Sequence, residues 1–363
     1  MKRAARVALV LGLAGALALL LVEGLLRLVP VPAVEVHRRA GARAESPNFF
    51  AYDAGLGWRG RAGMRGVMTG WELSHDVGLN AHGFRDGERG PKPPDRFRIV
   101  LLGDSITWGH GVEPSERYGE RVGEALRRIG VAVDVVNLAV SGYGTDQELL
   151  LWEGEGRRYC ADLVLLGLYE NDVRENMLAF QGRHPKPYFR PSSDGTLALH
   201  GVPVARVPDA LVTPSRGPRA WLQRHARVWA TLAFVRQALR GPAASATTAP
   251  EAPAGGVELT AALVSRLAAS VRRDDSPFAV IVLPDVHDAP ATREAAARSG
   301  VAAILDLAPA FRQAPDGARP LFYRLDGAHW TASAHALAAE KIARWIPAAK
   351  LLAPSPRACP ERP

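Results

Sequence analysis

Two short segments of this 363-residue chain carry residue types that do acyl chemistry together. Gly103-Asp104-Ser105-Ile106-Thr107 offers a serine directly after an apolar run, and Asp326-Gly327-Ala328-His329 sets a carboxylate three residues before a histidine. Serine is a weak nucleophile, so it needs an adjacent base, and the base needs an orienting partner. Residues three apart on a turn lie on one side. Asp326 is therefore placed to accept the Nδ1–H of His329 and leave Nε2 facing Ser105, the logic of a serine triad. Either segment alone has an ordinary alternative: Ser105 as a helix cap, or Asp326 and His329 as a surface pair.

Two further segments supply what a developing oxyanion needs, which is a set of fixed N–H donors. Gly142, within Asn137-Leu138-Ala139-Val140-Ser141-Gly142-Tyr143-Gly144, can present a backbone N–H, and Asn171, in Glu170-Asn171-Asp172, can offer its side-chain amide. With the Ser105 N–H these make three donors. Singly, Gly142 is a turn glycine and Asn171 a cap; four such segments together point to one site. Trp108, Tyr143 and Tyr169 flank it, as substrate-lining rings or as core. His287, between Asp285 and Asp288, competes as base, whereas His335 falls inside a helix and His110 lacks an acid neighbour in sequence.

The elements that must position these residues alternate. Short apolar runs at Phe97–Leu102, Val131–Leu138, Leu163–Leu168, Phe278–Leu283 and Val301–Leu307 predict five buried strands. Helical spacing appears at Glu116–Ile129, Asp146–Tyr159, 257–273, 289–299 and 332–345. That alternation implies a parallel sheet with helices on both faces, and ligands bind such sheets beyond the carboxyl ends of the strands. The four chemical segments fall after strands one, two and three and near the end of the chain.

These segments resemble the conserved blocks of the SGNH (GDSL-like) hydrolase superfamily. Ser105 matches the block I serine, Gly142 the block II glycine, Asn171 the block III asparagine, and Asp326 with His329 the block V Asp-x-x-His. The likeness covers roughly 97–175 and 257–345. Leu79-Asn80-Ala81-His82-Gly83-Phe84-Arg85 is similar to a segment that precedes the catalytic domain in bacterial membrane-anchored members. Tyr169 departs from the pattern by standing where block III has glycine. The resemblance implies a three-layer α/β/α sandwich around a parallel five-stranded sheet and carboxylic ester hydrolysis through an acyl-enzyme on Ser105. It implies neither metal nor organic cofactor. Acyl transfer onto an envelope polysaccharide by the same triad is the first alternative, and a non-catalytic glycan-binding protein the second.

Lys2, Arg3 and Arg6 precede an apolar run from Val7 to Val22, with no small-x-small cleavage site directly after it. This predicts an uncleaved anchor over residues 1–30 in the inner membrane, with the catalytic part periplasmic or at the cell surface; a cleaved signal would make the protein secreted. Residues 31–95 are expected to be a stalk and irregular lead-in, 96–350 the hydrolase domain with an insertion at 177–256, and 351–363 a Pro-rich tail. Within the insertion, Trp221, Leu222, Val228, Trp229, Leu232, Val235 and Leu239 form a helical apolar stripe, and Pro242–Gly256 a linker by composition. The net charge of +8 comes from this insertion, where ten Lys or Arg between Met177 and Arg240 face two acids, Asp194 and Asp209. No zinc-finger spacing, RNP-like motif or basic heptad accompanies it, which argues against nucleic acid. The expected partner is an acylated small molecule or glycan. The two cysteines, Cys160 and Cys359, make no disulfide scaffold or metal site; Cys160 reads as a buried thiol, and in an oxidising compartment the two could pair.

Overall fold

A computed structural model describes residues 2–29, 31, 34, 49–69, 73–182, 184–192, 194–207, 221–222, 225–240, 253–314, 321–324 and 326–353. In chain order, helix α1 (Lys2–Leu28) is followed by two hairpins, β1 (Phe50–Asp53) with β2 (Gly57–Gly60) and β3 (Arg65–Thr69) with β4 (Ser74–Gly78). Then come β5 (Phe97–Leu102), α2 (Ser105–Trp108), α3 (Tyr118–Arg128), β6 (Val133–Asn137), α4 (Thr145–Gly154), β7 (Leu163–Leu168) and α5 (Glu170–Glu175). The insertion holds hairpins β8 (Phe180–Gln181) with β9 (His184–Pro185) and β10 (Tyr188–Pro191) with β11 (Leu197–His200), then α6 (Arg227–Arg240). The chain continues through α7 (Gly256–Arg272), β12 (Phe278–Val282), α8 (Pro290–Arg298), β13 (Ile304–Asp306), α9 (Ala308–Arg312) and α10 (Ala332–Ala348).

The central sheet has five strands in the order β13-β12-β7-β5-β6, all parallel. Strand side chains alternate between faces, so each apolar run feeds two cores. Val100, Leu102, Val164 and Leu166 pack with Leu149, Leu263 and Leu267 of α4 and α7. Ile99, Leu101, Leu163 and Leu165 pack on the other face with Val122 and Leu126 of α3 and Ile342 and Ile346 of α10. β5 and β7 are buried on both faces, which is why they are apolar throughout. The expected α/β/α sandwich with five parallel strands is the observed fold.

Three expected elements differ. The segment 31–95 is not an irregular stalk throughout: the two hairpins run from Phe50 to Gly78, and Leu79 and Phe84 are buried after them. The helix expected over Asp146–Tyr159 ends at Gly154 and gives way to a 3₁₀ turn at Gly156–Tyr159. A Cβ at Gly156 would press on the Trp152 ring at 2.7 Å, so glycine lets the chain tighten there. The Pro-rich part of the insertion carries two small hairpins. Most of the expected linker 242–256 and of the tail 351–363 lies outside the described residues.

α1 is long and apolar enough to cross a membrane, as an anchor or a signal sequence, and its apolar window is unburied. Glu23, the acid that interrupts the run, accepts from the N–H groups of Arg227 and Val228 at 3.1 and 2.9 Å, satisfying the start of α6. Arg27 reinforces the junction through the His225 carbonyl at 3.1 Å. Cys160 is disulfide-bonded; the one other cysteine in the sequence, Cys359, lies outside the described residues.

Candidate active site

Ser105 stands at the first position of α2, immediately past the carboxyl end of β5. Asp104 caps this short helix by accepting from the Ile106 N–H at 2.9 Å. Gly109 ends it in a left-handed conformation, φ 87°, and donates back to Ser105 O and Ile106 O, each at 3.1 Å. Gly103 is required at the turn because a Cβ there would collide with the Thr107 side chain. Thr107 in turn accepts from the Tyr118 hydroxyl at 2.9 Å, and a Cβ at Gly167 would meet its Oγ1 at 2.5 Å. Two strand-end glycines thus let one buried threonine pin the serine turn.

The histidine arrives from the far end of the chain. His329 Nε2 lies 2.9 Å from Ser105 Oγ, and His329 Nδ1 lies 2.5 Å from Asp326 Oδ2. The same carboxylate oxygen accepts the His329 N–H at 3.0 Å, which closes the Asp-x-x-His turn. The turn is held from three sides. Tyr323 O–H reaches Gly111 O at 2.6 Å, Trp330 Nε1–H reaches Pro284 O at 3.0 Å, and Tyr169 O–H reaches Ala328 O at 3.1 Å. Burial alone would raise the Asp326 carboxyl. The hydrogen bonds and charge of His329 outweigh it and hold Asp326 well below the usual carboxylate range.

Gly142 follows β6 in a left-handed conformation, φ 83°, with Val140 N–H donating to Gly103 O at 3.1 Å, so the two strand-end turns are directly linked. Among the described residues, neither the Ser105 N–H nor the Gly142 N–H donates to a protein acceptor. Asn171 lies past β7 on α5. Its amide nitrogen donates to Glu175 Oε2 at 3.0 Å, and its carbonyl oxygen is buried without a partner. One of its two N–H groups is therefore already engaged. Asp172 joins the turns behind the site by accepting from Thr145 N–H at 3.0 Å and Tyr169 N–H at 2.9 Å.

The three expected lining rings do not line an open surface. Trp108 is 1% exposed, packs with Phe49, Val77 and Leu79, and carries the Arg85 guanidinium 4.7 Å from its ring centroid. Tyr143 is fully buried and donates to Trp58 O at 2.5 Å. Tyr169 is 6% exposed and spends its hydroxyl on Ala328 O and Asp285 Oδ1. Each is a wall behind the site, because a buried phenol or indole is retained where it closes a gap and finds a partner. His287 is not in the relay: His329 occupies the position beside Ser105, and the flanking Asp285 and Asp288 bind Tyr169 and Arg293. His335 is buried and accepts from Tyr118 N–H at 3.3 Å, as expected for a structural histidine.

Other residues escape a reading by sequence spacing. His110 stacks on His329 with centroids 4.1 Å apart, and its N–H donates to Ser105 O at 2.9 Å. Its acid neighbour is Asp326, 216 residues away in sequence, and a ligand atom of each lies within 4.8 Å of the other and of His329. This trio has the donor types of a metal site, but Asp326 and His329 are bound to each other and His329 to Ser105. Burial, then the charges of His329 and His75, push the His110 imidazole well below its ordinary range; His75, buried beside Arg85, falls to about 3. Both rings are neutral at working pH. Arg85 lies beneath them, donating to Gly109 O at 2.5 Å and Val112 O at 2.8 Å. The lead-in segment thus fixes the loop after α2 through a cation held by carbonyl oxygens.

No protein-family model matches the sequence, and no curated protein matches it. Among solved structures, a psychrotrophic esterase from Pseudoalteromonas sp. aligns with TM-score 0.40 at 11% identity over 70% of this chain and 98% of its own. A lipase/acylhydrolase from Enterococcus faecalis aligns with TM-score 0.39 at 16% identity, over 72% and 100%. An acetylxylan esterase from Geobacillus stearothermophilus, as a catalytic mutant, aligns with TM-score 0.40 at 13% identity, over 69% and 94%.

Proposed function

We propose that this chain is a serine ester hydrolase, held at a membrane by α1 with its catalytic domain outside the cytoplasm, that removes acyl groups from a glycan or similar envelope substrate. The observation that carries the chemistry is the continuous relay Asp326–His329–Ser105, with hydrogen-bond distances of 2.5 and 2.9 Å, at the carboxyl edge of the sheet. In this reading His329 removes the Ser105 proton as Oγ attacks the ester carbonyl. Asp326 fixes the tautomer and stabilises the imidazolium. The unengaged N–H groups of Ser105 and Gly142, with the free N–H of the Asn171 amide, hold the oxyanion. His329 then protonates the departing alcohol, and water repeats the sequence to release the acid. The disulfide at Cys160 supports an oxidising compartment, where such bonds persist.

The test uses the full-length protein in detergent with p-nitrophenyl acetate and a serine-directed phosphonate. Wild type should hydrolyse the ester and take the label on Ser105. Ser105→Ala should lose the label, and Ser105→Ala and His329→Ala should each lower kcat by about a thousandfold or more. A folded wild type that does neither would overturn the reading. Labelling with slow hydrolysis that accelerates when a sugar acceptor is added would make the enzyme an acyltransferase instead.

A further inference from the structure

Beside Gly142 lies a cavity of about 760 Å³ whose walls come from three parts of the chain outside the sheet. The β1–β2 hairpin supplies Phe50, Tyr52 and Trp58, with Arg61 just beyond; the β8–β9 hairpin supplies Gln181 and His184; the segment after β11 supplies Arg206. The cavity meets the site at Ser141 and Gly142. Gly142 is in contact with these walls: a Cβ on it would sit 3.4 Å from the Trp58 ring and 3.8 Å from Gln181. A group seated in the cavity is therefore next to a proposed oxyanion donor.

Three features define what fits. No Asp or Glu lines the cavity, yet two arginines do. Among the described residues neither Arg61 nor Arg206 has a carboxylate partner. Both are exposed, and each keeps one contact with the β1–β2 hairpin. Arg61 Nε donates to Phe50 O at 3.0 Å, its terminal nitrogens have no partner among the described residues, and Arg206 lies over the Tyr52 ring at 5.7 Å. The Arg206 segment is laced to the hairpin by Val204 N–H to Ala54 O at 2.7 Å and Tyr52 O–H to Val204 O at 2.6 Å. Guanidinium groups offer paired N–H donors to planar anions such as carboxylate. The remaining walls are the rings of Phe50, Tyr52, Trp58 and His184, the Gln181 amide, and small residues with Val207, without a run of long aliphatic side chains, so they suit sugar rings better than an acyl chain. The volume is far larger than an acetyl group needs and lies in the range of sites for several-ring ligands.

We infer that this cleft binds the glycan part of the substrate, and that the glycan is anionic, a chain of carboxylate-bearing sugars carrying the ester. The inference rests on the esterase reading of Ser105, and the experiment separates the two. Full-length wild type, Arg61→Gln, Arg206→Gln, the double variant and the Arg→Lys pair are compared on acetylated oligouronate and on an acetylated neutral oligosaccharide of equal length. Wild type should prefer the oligouronate in kcat/KM by about tenfold or more, consistent with a charge-assisted pair. Each Gln variant should lose part of that preference through KM, the double variant nearly all, and the Lys pair should regain some. Rising NaCl should erode the preference as well. Equal preference in wild type and double variant overturns the cleft. Inactive wild type defeats the esterase reading alone, because calorimetric binding of oligouronate to Ser105→Ala against Ser105→Ala with both Gln changes still tests the cleft. Competition by phosphatidylglycerol vesicles or inorganic phosphate, without competition by oligouronate, overturns the glycan assignment.

Discussion

Asp104 shows how a residue that reads as motif filler becomes the most constrained group at the site. Its Oδ1 caps α2, its Oδ2 is buried without a partner, and burial raises the carboxyl to about 6. The folded state therefore holds the Asp104 proton from the ordinary value of 3.8 up to about 6, while the unfolded chain has released it. The stability that follows is fully present below pH 3.8 and is lost as pH rises through about 6. Asp104→Asn keeps an oxygen for the Ile106 N–H and removes the buried charge. We expect it to match wild type at pH 3.5 and to exceed it by about 1–3 kcal/mol at pH 8 in urea unfolding. Activity should fall at the same time, because the amide lacks the carboxylate's Coulomb interaction with the His329 ring. Unchanged stability at pH 8 would refute the account. The meeting of Ser105, Asp326 and His329 was legible in the sequence because a serine–histidine–carboxylate relay demands particular side chains, two of them at a fixed spacing. It left His110 and Arg85 without a role because theirs depend on contacts made only after folding, with Asp326 and with Gly109 O.

At the scale of elements, the site is a set of turns locked at the carboxyl edge of the sheet, and the lock between β7, β12 and the histidine turn can be titrated. Glu170, the first residue of α5, shares a hydrogen bond with Asp285 beyond β12, and Asp285 also accepts from Tyr169 O–H, which holds Ala328 O beside His329. Burial, then the hydrogen bond to Asp285 and its charge, raise Glu170 to about 8. A raised carboxyl contributes stability that is present below its ordinary pKa and is lost as pH rises through the folded value. Above about pH 8 two carboxylates face each other across this lock. We expect wild-type kcat to decline between pH 7.5 and 9, with Glu170→Gln, which keeps a donor toward Asp285, holding its rate over that interval. A wild-type alkaline limb that the substitution leaves in place would rule the lock out. The five strands were legible because burial on both faces demands apolar runs, whereas the hairpins at Phe50–Gly78 were not. Strands of four or five residues, such as Gly57-Trp58-Arg59-Gly60, carry little periodic signal and depend on packing against the domain.

For the whole molecule, the insertion and the N-terminal helix are one mechanical connection, and Glu23 is its joint. A carboxylate interrupting an apolar helix is unfavourable beside lipid, and here it satisfies the N–H groups at the start of α6. α6 leaves Trp229, Leu232, Val235 and Leu239 exposed, so its contacts with α1 and this cap carry much of its attachment. Loss of a helix cap costs about 1 kcal/mol, which corresponds to roughly a fivefold change in a local opening equilibrium. Glu23→Ala should therefore speed hydrogen exchange at the Arg227 and Val228 amides by about that factor in full-length protein held in nanodiscs. Exchange in β5 and β7, and p-nitrophenyl acetate turnover, should stay as in wild type, because Glu23 belongs to neither the sheet nor the relay. If the α6 amides exchange alike in both proteins, Glu23 is not the joint. If β5 and β7 loosen as well, α1 contributes to the stability of the sheet domain rather than only to the attachment of α6.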